Sequence, residues 1–298
     1  MLVPDILVPD IPAPHPNPRA PKRKLPKGAC DCHAHLFGPA TQYPYQPDRS
    51  YTPPDASFDS YQHMLSVMGF DRAVLVQPSV YGTDNRRLID GLQHAQACNL
   101  EWRGITVLNT DTSDEEIARL HELGVRGIRI NMLFRGGIDF DAVTALSERI
   151  AQWNWHVQCL IDVSNFNDLA HTLDRLPVSK VIDHMGHMPV SKGINDPGFK
   201  HLLDRIEKGD TWVKLSGPNR MTLKASAPYQ DVDPFFHELT RRNSDRCVFG
   251  TDWPHVQLPG PMPNDGDLVD ELLRLIDDPA TLEKVLVHNP TKLYDFEG

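Results

Sequence analysis

An α/β fold in the form of a (β/α)8 TIM barrel is what this 298-residue chain predicts, on three observations. Eight short apolar segments recur along it, each is followed by an amphipathic helical pattern, and the repeats together fill about 250 residues, the usual span of such a barrel. The strand candidates are 29–35, 72–78, 102–108, 126–133, 155–161, 179–184, 211–216 and 245–251. The helical patterns between and after them run near 57–69, 83–98, 113–124, 139–151, 163–175, 196–207, 231–242 and 264–278. Thr112-Ser113-Asp114, ahead of an acidic first turn, is a helix-start signal. A doubly wound open sheet is the rival arrangement. It would want a glycine-rich G-x-G-x-x-G turn after the first strand, and none is present.

Residues 1–27 carry eight prolines and the near-repeat LVPDILVPDI. Proline has no backbone N–H and resists helix and central strand alike, so this stretch predicts an extended arm, with the barrel domain spanning 28–298. Long connections at 36–56 and 217–230 would cover the face where the strand C-termini open.

Bulk properties narrow the function. Hydrophobic residues at 40% and charged residues at 23% describe an ordinary globular domain. A net charge of −10 with no basic stripe argues against a nucleic-acid partner, though a local arginine cluster still suits a small anionic ligand. No run of some 18 apolar residues predicts a membrane span, and no charged-then-apolar leader predicts a signal peptide, so a cytoplasmic protein is expected. A homo-oligomer is left open. The five cysteines at 30, 32, 98, 159 and 247 are odd in number and fall in core-like segments; buried, reduced thiols are expected. By two-residue alternation, Cys30 and Cys32 should face away from His33 and His35 and pack under helices.

In a TIM barrel the chemistry sits at the strand C-terminal ends. That rule selects His33 and His35 on strand 1, Gln77 and Ser79 after strand 2, Arg129 on strand 4 and His184 on strand 6. It also selects Arg220 after strand 7, and Asp252 with His255 at strand 8. A lone histidine is more often structural. His-x-His together with His184 and Asp252, on three different strands, is a site. Such a set could hold one metal ion through His33, His35, His184 and Asp252, or could polarise a carbonyl without one. Two ions are not expected, because strand 4 offers Arg129 and Asn131 rather than a bridging lysine or glutamate, and Leu160 stands where strand 5 could supply a ligand.

The stretches DCHAHLFGP (31–39), RSYTPPDA (49–56), VQPSVYGTDN (76–85), RGIRIN (126–131), IDHMG (182–186), FGTDWPH (249–255) and HNPTKLY (288–294) resemble the amidohydrolase superfamily. Within it they are similar to the 2-pyrone-4,6-dicarboxylate lactonases and related muconolactone-type hydrolases. The resemblance covers about 29–298 and implies a carboxylic ester hydrolase that opens a carboxylated or sulfonated lactone in aromatic compound catabolism. It implies Asp252 as the base that activates water, and His33, His35 and His184 as the groups that polarise the lactone carbonyl. Arg129, Arg135 and Arg220 would bind substrate acid groups, with Tyr51, Ser79, His187 and His255 also at the substrate. No cofactor would be required, one zinc or manganese ion being the alternative. An isomerase or decarboxylase on the same barrel is the competing activity. Two departures from the lactonase pattern bear on the substrate: His187 where an arginine is usual and Leu160 where a tyrosine is usual.

Overall fold

The computed structural model describes residues 8–131, 133, 140–165, 169–258 and 260–297. Eight parallel strands follow in sequence order around one sheet: β1 (Cys30–Ala34), β2 (Arg72–Val76), β3 (Glu101–Thr106), β4 (Val125–Asn131), β5 (His156–Leu160), β6 (Lys180–Ile182), β7 (Thr211–Lys214) and β8 (Cys247–Val248). The β8 ladder is only two residues long, yet the ring closes beyond it. Cys32 N donates to Phe249 O, Asp252 N to His33 O and His35 N to Trp253 O, and Ala34 bridges Trp253 in parallel. This closure welds the two segments that carry the histidine pair and Asp252.

The outer layer comprises α1 (Phe58–Met68), α2 (Arg86–Ala97), α3 (Asp114–Glu122), α4 (Phe140–Ile150), α5 (Leu169–Asp174) and α6 (Pro197–Lys208), one behind each of β1 to β6. A short α7 (Pro218–Met221) precedes α8 (Asp233–Asn243), and after β8 come α9 (Asp265–Leu275), α10 (Pro279–Glu283) and α11 (Asn289–Tyr294). Each main helix turns a narrow apolar stripe to the sheet. On α1 it is Phe58, Tyr61, Leu65 and Met68; on α2 it is Leu88, Leu92 and Ala95. Spacings of three and four residues put these on one face, and full burial of each large side chain stabilises by roughly 1.5–3 kcal/mol. Ser113 caps α3 as its sequence suggested, accepting from Glu116 N.

One expectation about side-chain direction fails. Cys30 and Cys32 do not lie under helices. They cluster with Val74, Val76, Ile105, Val181 and Val248, residues from strands on opposite sides of the ring, which can meet only inside the barrel. The β1–β2 register shifts between Asp31 and Ala34, and such a bulge breaks strict alternation, so cysteines and histidines both reach the interior. Leu293, Tyr294 and Phe296 join this cluster and close the barrel floor. All five cysteines are free, but Cys98, at the end of α2, is exposed rather than buried.

Residues 8–27 run along the body. Ile11 N and Thr52 O, then Thr52 N and Pro9 O, tie them to the 36–56 connection. Arg19 donates to Asp267 and Asp270 of α9 at 2.6 and 2.7 Å. Among the described residues no helix is long and apolar enough to cross a membrane.

Candidate active site

The strand C-termini converge on a narrow cleft lined by His35, Tyr51, Ser79, Arg129, Asn131, Leu160, His184, His187, Arg220, Asp252 and Val256.

At its centre stands Asp252, buried, with a left-handed backbone (φ +68°) that a non-glycine residue adopts only under constraint. The β1–β8 closure supplies that constraint. Arg220 grips Asp252 Oδ2 with Nε at 2.6 Å and Nη2 at 2.5 Å, while Oδ1 has no hydrogen-bond partner among the described residues. Burial alone would raise the Asp252 pKa, but the Arg220 guanidinium, helped by neighbouring histidines, holds it far below the usual carboxylate range. Asp252 is therefore ionised at any ordinary pH. Facing its bare oxygen are His184 Nε2 at 3.6 Å and His33 Nε2 at 3.8 Å.

His184, His187 and Met185 also have left-handed backbones (φ +52°, +50° and +53°), so the turn after β6 folds tightly over the barrel mouth. His184 Nδ1 is 2.8 Å from Ser216 Oγ. Gly217, at φ +68°, passes so close that an added Cβ would lie 3.0 Å from the His184 Cβ. Gly250 leaves His33 room in the same way: a Cβ there would stand 2.6 Å from His33 Cβ. Burial keeps these imidazoles neutral. It pushes His33 down to about 4, with the Lys214 charge adding to the effect, and pushes His35 and His184 well below the ordinary histidine value.

Beneath the histidines lies a charged layer that the sequence reading did not single out. Lys214 Nζ, fully buried, donates to Cys32 O at 2.8 Å and Gln158 Oε1 at 2.7 Å, and lies 3.3 Å from His33 Nδ1. Asp183 Oδ1 lies 3.3 Å from His33 Nδ1 and 3.6 Å from Lys214. Asp183 Oδ2 accepts from Gln158 Nε2 at 3.1 Å and Arg129 Nη2 at 3.4 Å. Asp183 follows the last residue of β6 and Lys214 is the last residue of β7; in sequence they read as ordinary residues of apolar strands. Asp31, behind His33, accepts from Thr251 N, Thr251 Oγ1 and Tyr61 Oη, tying β1 to the segment that presents Asp252.

The remaining expected residues fall in different places. Tyr51, Ser79, Arg129, His187 and Arg220 line the cleft. Gln77 lies behind it, donating to the Gly82 and Asp84 carbonyls and so shaping the turn that carries Ser79. His255 is buried with Nε2 2.9 Å from Asp265 Oδ1, outside the cleft lining. The Arg135 position lies outside the described residues. Arg220, while lining the cleft, also holds Asp252 through Nε and Nη2.

Could this site hold a metal? His33, His184 and Asp252 bring one ligand atom each within 4.8 Å of one another, and the bare Asp252 Oδ1 faces both imidazoles. Asp183 behind His33 Nδ1 is the kind of carboxylate that orients a metal-binding imidazole. One ion fits these three donors. His35 lies outside this three-residue set, although its Nδ1, 2.7 Å from the Val76 carbonyl, leaves Nε2 with a lone pair 3.3 Å from His33 Nε2.

Comparison with known proteins agrees with this arrangement. Residues 30–296 match the model of the family described as Amidohydrolase. The chain is 36% identical to a 2-pyrone-4,6-dicarboxylate hydrolase of Comamonas testosteroni, covering 93% of each chain. It is 34% identical to a 4-sulfomuconolactone hydrolase of Hydrogenophaga intermedia, covering 91% of this chain and 89% of that one. A crystal structure from Acinetobacter baumannii, described as a probable 2-pyrone-4,6-dicarboxylic acid hydrolase with citric acid bound, superposes with a TM-score of 0.79 at 26% identity, over 90% of this chain and all of that one. Sequence, strand order and the histidine–aspartate centre converge: the chain belongs to the amidohydrolase family.

Proposed function

We propose that this protein hydrolyses a small anionic lactone, a carboxylated or sulfonated pyrone or muconolactone of aromatic compound catabolism, by water that Asp252 deprotonates. The observation that carries this reading is the divided carboxylate of Asp252. One oxygen is clamped by Arg220, and the other is buried, unpartnered among the described residues and faced by two neutral imidazoles. A carboxylate so placed can orient a water through Oδ1 and accept its proton as the oxygen attacks the carbonyl. The N–H groups of His33 and His184 would take up the charge that develops on the carbonyl oxygen, each such donor lowering the barrier by roughly 2.7–4 kcal/mol. Collapse of the tetrahedral species breaks the ring C–O bond, and the ring opens to a carboxylate and a hydroxyl or its keto tautomer.

Two cleft atoms with no hydrogen-bond partner among the described residues, Arg129 Nε and His187 Nε2, would read the substrate's acidic group, with Tyr51 and Ser79 adding neutral contacts. Leu160 and Val256 supply an apolar wall against the ring. The relatives named as hydrolases of a pyrone dicarboxylate and of a sulfomuconolactone support this substrate class. His33, His184 and Asp252 would hold a divalent ion, which when bound would act as a Lewis acid on the carbonyl and acidify a water. We read the hydrolysis as needing none, because Arg220, Arg129 and Lys214 already bring three cationic side chains to this centre.

Mixing the protein with a panel of pyrone dicarboxylates, muconolactones and sulfomuconolactones, with proton release followed in weak buffer, tests the reading. One acid per turnover is expected. Asp252→Asn should keep ligand binding and lose turnover by roughly 10²–10⁴-fold, the contribution typical of a general base. Substrate consumed without acid release would point instead to an isomerase, and unchanged turnover in Asp252→Asn would remove Asp252 as base.

A further inference from the structure

We infer that the proline-rich arm positions a substrate-binding side chain: the backbone of Pro9 and Ile11 holds Tyr51 in the cleft, and Asn17 and Arg19 anchor the arm on α9. The hold on Tyr51 stands apart from the lactone-hydrolase reading; its effect on the substrate rests on that reading.

Burial alternates from Tyr51 to Pro54, as in an extended strand. Tyr51 and Pro53 are buried, Thr52 and Pro54 half-buried. Tyr51 faces inward and lines the cleft beside Ser79, Arg129 and Arg220. Its neighbour Thr52 meets the arm. Thr52 N donates to Pro9 O at 2.8 Å and Ile11 N donates to Thr52 O at 3.1 Å, a parallel bridge centred on Asp10. Thr52 thus uses both its amide and its carbonyl on the arm. Among the described residues, one other hydrogen bond ties the backbone of 47–55 to a segment beyond the 36–56 connection, from Gln257 Nε2 to Ser50 O at 3.1 Å. Pro53 and Pro54 have no N–H to add.

The far end of the arm is fastened to the start of α9. Asn264, which caps that helix through Gly266 N, accepts from Arg19 N at 2.9 Å and donates to Asn17 O at 2.9 Å. The Arg19 guanidinium reaches Asp267 and Asp270 at 2.6 and 2.7 Å, and Lys22 N donates to Asp270 at 2.7 Å. Gly266 permits this approach, since an added Cβ there would stand 2.0 Å from Arg19 O. At the near end Ile11 packs against the main apolar core. Between the two ends, prolines at 12, 14, 16 and 18 fix φ and leave the chain little backbone freedom to lose on ordering. A stiff segment fastened at α9 therefore delivers Pro9 and Ile11 to Thr52.

Ile11→Asp combined with Arg19→Glu in the full-length chain should unseat both ends, setting a charge against the apolar core and like charges against Asp267 and Asp270. Hydrogen–deuterium exchange over the peptide 47–56, read by mass spectrometry, should quicken about tenfold, the protection lost with one hydrogen bond, while the barrel strands keep theirs. KM for the lactone should rise about 3–10-fold, the worth of one neutral hydrogen bond. Turnover should stay within about twofold, because Tyr51 binds ground state and transition state alike. In a Tyr51→Phe background the same two substitutions should add little to KM, the non-additivity expected of groups acting through one contact. Native exchange over 47–56 overturns the inference. So does a KM that stays native, or one that rises equally with and without the Tyr51 hydroxyl. If the double variant fails to fold, Ile11→Pro removes the donor to Thr52 O; smaller increases in exchange and KM are then expected, and no increase in either overturns the inference. Should no lactone be opened at all, the hydrolase reading falls, while exchange over 47–56 still decides whether the arm holds Tyr51.

Discussion

Acidification from pH 7 to pH 5 should destabilise this protein by at least about 2 kcal/mol, a lower bound that follows from three buried groups. His33 is held down to about 4 and His156 to about 3, burial being the main cause in both. A histidine whose folded pKa lies below its unfolded value of about 6.5 contributes stability that is complete above 6.5 and is lost as pH falls toward the folded value. Between pH 7 and pH 5 the unfolded chain gains these protons and the folded chain does not, which costs about 2 kcal/mol for each histidine. Asp31 works in the opposite direction. Burial lifts it to about 6 in spite of its hydrogen bonds from Thr251, so the folded state takes up a proton first and regains about 1 kcal/mol over the same interval. His35 and His184, also lowered, add to the loss. Since whole-domain stability is commonly about 5–15 kcal/mol, the change is easily measured. Urea unfolding followed by tryptophan fluorescence at the two pH values, at equal ionic strength, is the assay. His156 stands against the Tyr294 ring with neither ring nitrogen hydrogen-bonded among the described residues, so His156→Phe should shrink the pH dependence by about 2 kcal/mol. An unfolding midpoint that stays level or rises at pH 5 would refute the reasoning.

Two further outcomes are expected. Gly250→Ala places a methyl 2.6 Å from His33 Cβ and 2.8 Å from His33 N, where neither neighbour is a flexible side-chain end. It should cost about 1–3 kcal/mol in thermal or urea unfolding and at least tenfold in turnover, whereas native-like activity would mean that His33 need not stand where it does. Protein treated with chelator and shown metal-free by elemental analysis should retain lactone turnover; stoichiometric zinc together with loss of activity on chelation would reverse the metal-independent reading.

The barrel was legible from the chain because its signal is local. Apolar runs and amphipathic stretches repeat in order, and in this fold sequence neighbours become spatial neighbours, so β1 to β8 pair consecutively. Strand-end residues such as His33, His184 and Asp252 were legible for the same reason, since the fold sends strand C-termini to one mouth. What remained hidden is non-local. The β1 bulge that brings Cys30 and Cys32 into the lumen lies where β1 meets the segment after β8, two hundred residues away, and no two-residue alternation announces it. Lys214 and Asp183 look like stray charges in apolar strands until the ring closes and sets them 3.6 Å apart under His33.

By itself, then, the sequence determined which face of the molecule would hold chemistry and which groups would meet there, because backbone pattern and strand polarity are written residue by residue. Only the tertiary structure decided their states. It gave Arg220 to Asp252, sent His255 to Asp265, and set an ammonium behind His33. Protonation and tautomer depend on distances between strands far apart in the chain, and those distances exist only once the barrel has closed.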